Sequence, residues 1–195
     1  KIGEILDKVV ASTDFIGWEE HKRKAKSTIE KAHFKLFYNP VSAQEGDVNN
    51  ILLDVVFGDN PYVETKETEV SHFLVSEKGN PVKVITPTLA AILGDKLTAY
   101  GPNTTGVSLT KPKEVLKQIY DIASICDRVP SLEGVRENFI KVAKGELAYK
   151  GFESNNFQVI IDDIIATSYN FCTYGRVNKS AFRTIQLGVG QLSGF

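Results

Sequence analysis

Residues 93–127, LGDKLTAYGPNTTGVSLTKPKEVLKQIYDIASICD, place a lysine and an aspartate where a core needs neither. Lys96 falls on an apolar helical pattern, at helical spacing from Ile92, Leu93 and Tyr100. Asp121 falls on the next such pattern, in KQIYDIA. A cation and a carboxylate on successive helices suit a site that handles phosphates and metal ions. Ammonium neutralises phosphate charge, and carboxylates hold hard cations. Each residue also has a plainer account. Lys96 can lay its stem on apolar surface and keep its head in water. Asp121 follows Lys117 by four residues, the spacing of a local ion pair on a helix, and Ser124 and Arg128 extend that polar face.

Asp54 alone interrupts the apolar run of residues 51–57, in Leu53-Asp54-Val55. A carboxylate fixed on a strand is what Mg²⁺ uses, since that ion prefers one or two carboxylates plus phosphate oxygens. The plainer account is an acid at a strand end, reaching water or a lysine. The GPNTTG turn at residues 101–106 offers backbone N–H groups suited to an anion, although it lacks the Walker pattern and most such loops are simply turns. His21, His33 and His72 have no ligand spacing, so no structural zinc site is expected. No G-x-S-x-G or Cys–His signature occurs. Asp162-Asp163, on an otherwise apolar helical pattern, is expected on a solvated face.

The elements that must position these residues read as α/β first and all-helical afterwards. Ile2, Ile5, Leu6, Val9 and Val10 share one face of a helix over residues 1–11. HKRKAKSTIEK is strongly basic and reads as a solvated helix or linker. AHFKLFYN alternates as a strand, and VSAQEGDVNN is a turn-rich connection. Residues 51–57, apolar on both faces, predict a strand covered on both sides. PVKVITP predicts a short strand, with Thr86 as N-cap and Pro87 as the first residue of a helix reaching Tyr100. Leu89, Leu93, Leu97 and Tyr100 form its inner face.

From Pro112 onward no convincing strand appears. Apolar stripes run through Val115, Ile119, Ile122, Ala123 and Cys126, then Val135, Phe139 and Val142, then Phe157, Ile160, Ile161, Ile164, Ile165 and Ser168. A fourth helix is expected over residues 180–190. These stripes predict a helical bundle, with a boundary in the loop of residues 101–112.

The chain has 195 residues, is 42% hydrophobic and 24% charged, and so can bury a core. A net charge of -1 argues against a surface that grips nucleic acid all over. No apolar run is long enough for a membrane span, and no secretory signal is visible. Cys126 and Cys172, both in apolar helical contexts, are expected as buried reduced thiols in a cytoplasmic protein. The chain opens on Lys1 and contains no Met, as for an interior or C-terminal piece, so its N-terminus is expected to be incomplete.

A strand acid, a helical lysine after a Thr-Pro start, and a helix acid, in that order, resemble the AbiEii-type nucleotidyltransferases. These are toxins of type IV toxin–antitoxin and phage-defence systems, within the DNA-polymerase-β-like nucleotidyltransferase superfamily. The resemblance covers residues 51–127 and is best in ILGDKLTAYGPNTTG and KQIYDIASICD. It implies a mixed-sheet α/β (α+β) nucleotidyltransferase-like core, incomplete at its start, over residues 1–108, and a helical bundle domain over residues 109–195. It implies that Asp54 is the superfamily's third carboxylate and a metal ligand, that Lys96 contacts the nucleotide's phosphates, and that Asp121 is the acid of the last motif. Asn103, Thr104, Thr105 and Lys117 would join Lys96 in binding the nucleotide. Two Mg²⁺ ions, a nucleoside triphosphate, an RNA (tRNA) or protein acceptor and an antitoxin partner are implied with them.

The chain departs from the family pattern at one point. The Gly-Ser turn and paired D-x-D carboxylates should lie upstream of residue 1. Ser12-Thr13-Asp14 is the only lookalike, and Ile16 stands in place of the second acid. Residues 1–195 alone are therefore not expected to transfer nucleotides. The rival readings are a catalytically inactive nucleotidyltransferase-like module that binds an antitoxin, and an unrelated α/β domain whose acids are surface groups.

Overall fold

A computed structural model describes residues 1–22, 30–41, 46–73 and 79–192. The centre of the basic run (residues 23–29) and part of the VSAQEGDVNN connection (residues 42–45) lie outside the described residues. The chain divides into two compact units, Lys1–Asn60 and Pro61–Phe195. The described residues form small antiparallel sheets and six helices, a mixed α+β fold.

In the first unit, helix α1 (Ile2–Ser12) is followed by strands β1 (Phe15–Glu20), β2 (Lys31–Tyr38) and β3 (Asn49–Val56), which form an antiparallel sheet in the order β1-β2-β3. α1 buries Leu6 against Phe34 and Leu36 of β2, with Ile2, Val9 and Trp18 packed around them. Trp18 Nε1 donates to Asp7 at 2.9 Å and ties β1 to the helix. The β1 segment FIGWEE is a strand that the sequence pattern did not announce. β3 pairs only with β2, in the register Phe34↔Leu53 and Leu36↔Ile51. It is therefore an edge strand, not the doubly covered one expected: Ile51 and Leu52 are 52% and 53% exposed. α1, the one helix among the described residues of this unit, packs on β1 and β2, and much of β3 is exposed.

The second unit opens with the ribbon β4 (Thr65–Glu69) and β5 (Lys83–Pro87), held in part by Thr68–Thr86 and Lys83–Glu67 contacts. Helix α2 (Leu89–Thr98) starts two residues later than expected. Pro87 ends the strand, and Thr88 is the N-cap, extended and accepting from the Ala91 N–H at 3.2 Å. α3 (Pro112–Cys126) begins with proline at its first position, where no N–H is required. α4 (Glu133–Lys150), α5 (Gln158–Cys172) and α6 (Lys179–Leu192) complete the unit, with no strand among the described residues after Pro112.

α2 packs tightly on α4 because Gly94 carries no side chain. A Cβ there would stand 2.7 Å from the Phe139 nitrogen and 2.8 Å from the Val135 oxygen. One core gathers Phe139, Ala143, Leu147 and Ile160, and another Tyr100, Val115, Leu116 and Ile185. Three stripes differ from expectation: on α3, Leu116 is buried with Val115 while Ala123 is exposed. On α5 the buried line is Ile160, Asp163, Thr167 and Asn170, while Ile161 and Ile165 are exposed. On α2, Leu93 is buried and Leu89 is not. Cys126 and Cys172 are free and exposed, not buried as expected, since each lies at the far end of its helix, beyond the buried part of the stripe. The loop of residues 101–112 lies inside the second unit.

Candidate functional site at the corner of two helices

Lys96 lies in the last turn of α2, and Asp121 in the C-terminal half of α3. Lys96 Nζ donates to Asp121 Oδ2 at 2.7 Å, with the side chains 30% and 39% exposed. The sequence predicted both residues as site residues, and the fold brings them together. On the same helix as Asp121, Lys117 Nζ stands 3.7 Å from Glu114. Lys117 lies one turn before Asp121 on the same helix. An ammonium has three N–H donors, of which Asp121 takes one, so Lys96 is held in place with donors left for an anion.

The neighbouring Asp95 accepts from the Tyr62 hydroxyl at 2.8 Å. Burial, the hydrogen bond to Asp95 and that carboxylate's charge together push the Tyr62 phenol up to about 12. The Val63 N–H donates to the fully buried Asn138 Oδ1 at 2.7 Å, and Asn138 Nδ2 donates to the Gly134 oxygen at 2.7 Å. Residues 62–63 thereby strap α2 to α4. Burial also raises the Tyr100 hydroxyl, which accepts from the Ser168 hydroxyl at 3.3 Å.

The turn after α2 is organised by Asp163, which was expected on a solvated face and is instead 8% exposed. Its carboxylate accepts from the Asn103 N–H at 2.8 Å, from Asn103 Nδ2 at 2.7 Å and from the Thr104 hydroxyl at 2.9 Å. Thr105 is buried and donates to the Thr98 oxygen at 2.7 Å. Gly101 has no room for a Cβ, which would meet Thr104 Oγ1 at 2.7 Å and Asp163 Oδ2 at 2.9 Å. The polar side chains of Asn103, Thr104 and Thr105 thus bond within the protein and brace the end of the helix that carries Lys96. The sequence signal for Asp163 was the helical spacing of Ile160, Asp163, Thr167 and Asn170. A stripe of mostly polar residues does not read as a core.

Asp54 lies on β3 of the first unit, 56% exposed, with its Oδ1 2.5 Å from His33 Nδ1 across the strand pair. Among the described residues no group of three or more His, Cys, Asp or Glu side chains gathers to hold a metal ion. One carboxylate already bonded to a histidine is not a Mg²⁺ site, which takes oxygen ligands in octahedral geometry. The described residues alone do not fit the magnesium that the resemblance implies. No described helix is long and apolar enough to cross a membrane.

The described residues thus present a cation–carboxylate corner beside a braced turn, in an α+β chain. A comparison with family models matches residues 2–176 to the family described as nucleotidyl transferase AbiEii toxin, type IV TA system. The chain belongs to that family. Searches of curated proteins and of solved structures found no match.

Proposed function

We propose that the full protein is a nucleotidyltransferase toxin that moves a nucleotide from a nucleoside triphosphate to an RNA, such as a tRNA, or to a protein. An acceptor hydroxyl attacks the α-phosphorus, the bond to the bridging oxygen breaks, and pyrophosphate leaves. Lys96 bonds phosphate oxygens and offsets their charge, Asp121 fixes its ammonium, and Lys117 adds a second cation on the same helix. Asn103, Thr104 and Thr105 act by framing the turn. Asp54 is the superfamily's third carboxylate. The Lys96–Asp121 contact at 2.7 Å carries this reading, because it joins two residues to which the family resemblance gives site roles.

The test is transfer of labelled nucleotide by the full-length protein to total tRNA and to protein, with the native residues and with Asp121→Asn. Loss of transfer in the variant is the expected result. Undiminished transfer removes Asp121 from the site.

A second reading, a partner-binding module without catalysis, is favoured by an apolar hollow of about 330 Å³ in the second unit. Leu97, Leu132, Val135, Phe139, Ile161 and Ile165 are among the residues that line it. Transfer by the full-length protein would rule that reading out.

A further inference from the structure

A separate pocket of about 190 Å³ opens between the turn after α2 and helices α5 and α6. Its walls include Leu109, Val177 and Ile185, its polar groups include Asn103, Thr167, Asn170 and Asn178, and among the described residues no charged side chain lines it. The hydrogen bonds fix how each amide is turned. Asn103 gives its Nδ2 to Asp163 at 2.7 Å, which leaves its Oδ1 as an acceptor. Asn178 accepts from the Ala181 N–H through Oδ1 at 2.9 Å, which leaves its Nδ2 as a donor. Asn170 is buried and spends both ends on Asn178, taking its N–H at 2.7 Å and giving to its oxygen at 3.0 Å. The pocket therefore offers aliphatic walls, an acceptor on Asn103 and a donor on Asn178 beside the Thr167 hydroxyl, and no charged side chain among the described residues.

We propose that this pocket binds a nucleobase. A planar heterocycle presents apolar faces and an edge on which donors and acceptors stand side by side, and bases are commonly held between apolar side chains and read at that edge. The volume is below the roughly 300–1,000 Å³ of pockets that take drug-sized ligands, so a ring system enters and the sugar and phosphates stay outside. The base belongs either to the triphosphate or to an unpaired residue of an acceptor RNA. As a base-binding site the pocket stands on its own geometry. Its part in nucleotide transfer rests on the function proposed above.

The test is titration of the protein with adenosine, guanosine, cytidine and uridine, followed by ligand-observed NMR and calorimetry. Saturable binding of at least one nucleoside is expected. Asn178→Asp keeps the acceptor for the Ala181 N–H but replaces the spare donor, and should weaken binding about 5- to 10-fold. Ala166→Leu places bulk in the pocket from an exposed lining position and should abolish binding, with the melting temperature near that of the native chain. No saturable binding by any nucleoside overturns the proposal, as does binding that both variants leave unchanged. N-methylacetamide competing as well as the nucleosides would overturn it in favour of a peptide amide. Repeating the titration with triphosphates and with a short single-stranded RNA identifies the source, which is the ligand that Ala166→Leu weakens. Nucleoside binding without transfer leaves the pocket standing and removes the transferase reading, and transfer without nucleoside binding does the reverse.

Discussion

On the function proposed above, Lys96 answers two demands: its partner fixes it, and its charge remains available. A 2.7 Å bond to Asp121 with both side chains about a third exposed meets both. Lys96→Ala in the full-length protein should remove a charge-assisted contact to phosphate. Such contacts contribute roughly 1.5–3 kcal/mol, about 10- to 150-fold in binding or rate. The melting temperature should change little, since a part-exposed ion pair contributes at most about 1 kcal/mol. Full activity together with a clear loss of stability would show that Lys96 only packs. Tyr62 sets a second expectation at this scale. Its folded-state value is raised from 10.0 to about 12, so the unfolded chain loses its proton first. Stability from this group is present below pH 10 and lost as the pH rises toward 12. Denaturant unfolding at a series of alkaline pH values should show that decline, and Tyr62→Phe should flatten it. An unchanged slope in Tyr62→Phe would mean that other groups cause it.

Among the elements, the contact of α2 with α4 decides where Lys96 stands. Ala is ordinarily the better helix former, by about 1 kcal/mol over Gly. At Gly94 the added carbon would meet backbone atoms of α4 at 2.7 and 2.8 Å, and backbone cannot swing aside as a side-chain tip can. Overpacking of this kind costs about 1–3 kcal/mol, so Gly94→Ala should lower stability despite its helix propensity. A thermal melt reads the outcome, at about 2–4 °C per kcal/mol for a chain of this size. A raised melting temperature would show that α2 moves away at little cost.

The same elements show what the sequence made legible. α1, α3 and α6 followed from periodicity and proline placement, while family order singled out Lys96 and Asp121 without giving their ion pair. β1 was obscured by Gly17 and Glu19-Glu20, which break strand alternation. β3 looked doubly covered because its composition is apolar on both faces, yet among the described residues of its unit only α1 is there to cover the sheet. Asp163 was misread because acid at a helical position ordinarily means solvent. Only the turn of residues 101–106, folded back onto α5, supplies the donors that bury it.

At the scale of the whole molecule, the two units differ in what they bury. The second holds two core clusters and most of the fully buried side chains, among them Leu93, Leu147, Ile160, Ile185 and Asn138. The first has Leu6, Phe34 and Leu36 as its fully packed centre, while Ile51, Leu52 and Val56 remain exposed on an edge strand. A domain of about 60 residues buries only about 60% of the surface its unfolded chain exposes, and is marginal even with a good core. Residues 61–195 should therefore fold alone with a cooperative thermal transition and the helical circular dichroism of α2–α6. Residues 1–60 alone should show no such transition and should self-associate through the unpaired edge of β3. Calorimetry and sedimentation on the two pieces would check this. A cooperative, monomeric residue 1–60 piece would mean that α1 and the sheet suffice. Loss of cooperativity in residues 61–195 would mean that the corner holding Lys96 and Asp121 depends on the first unit.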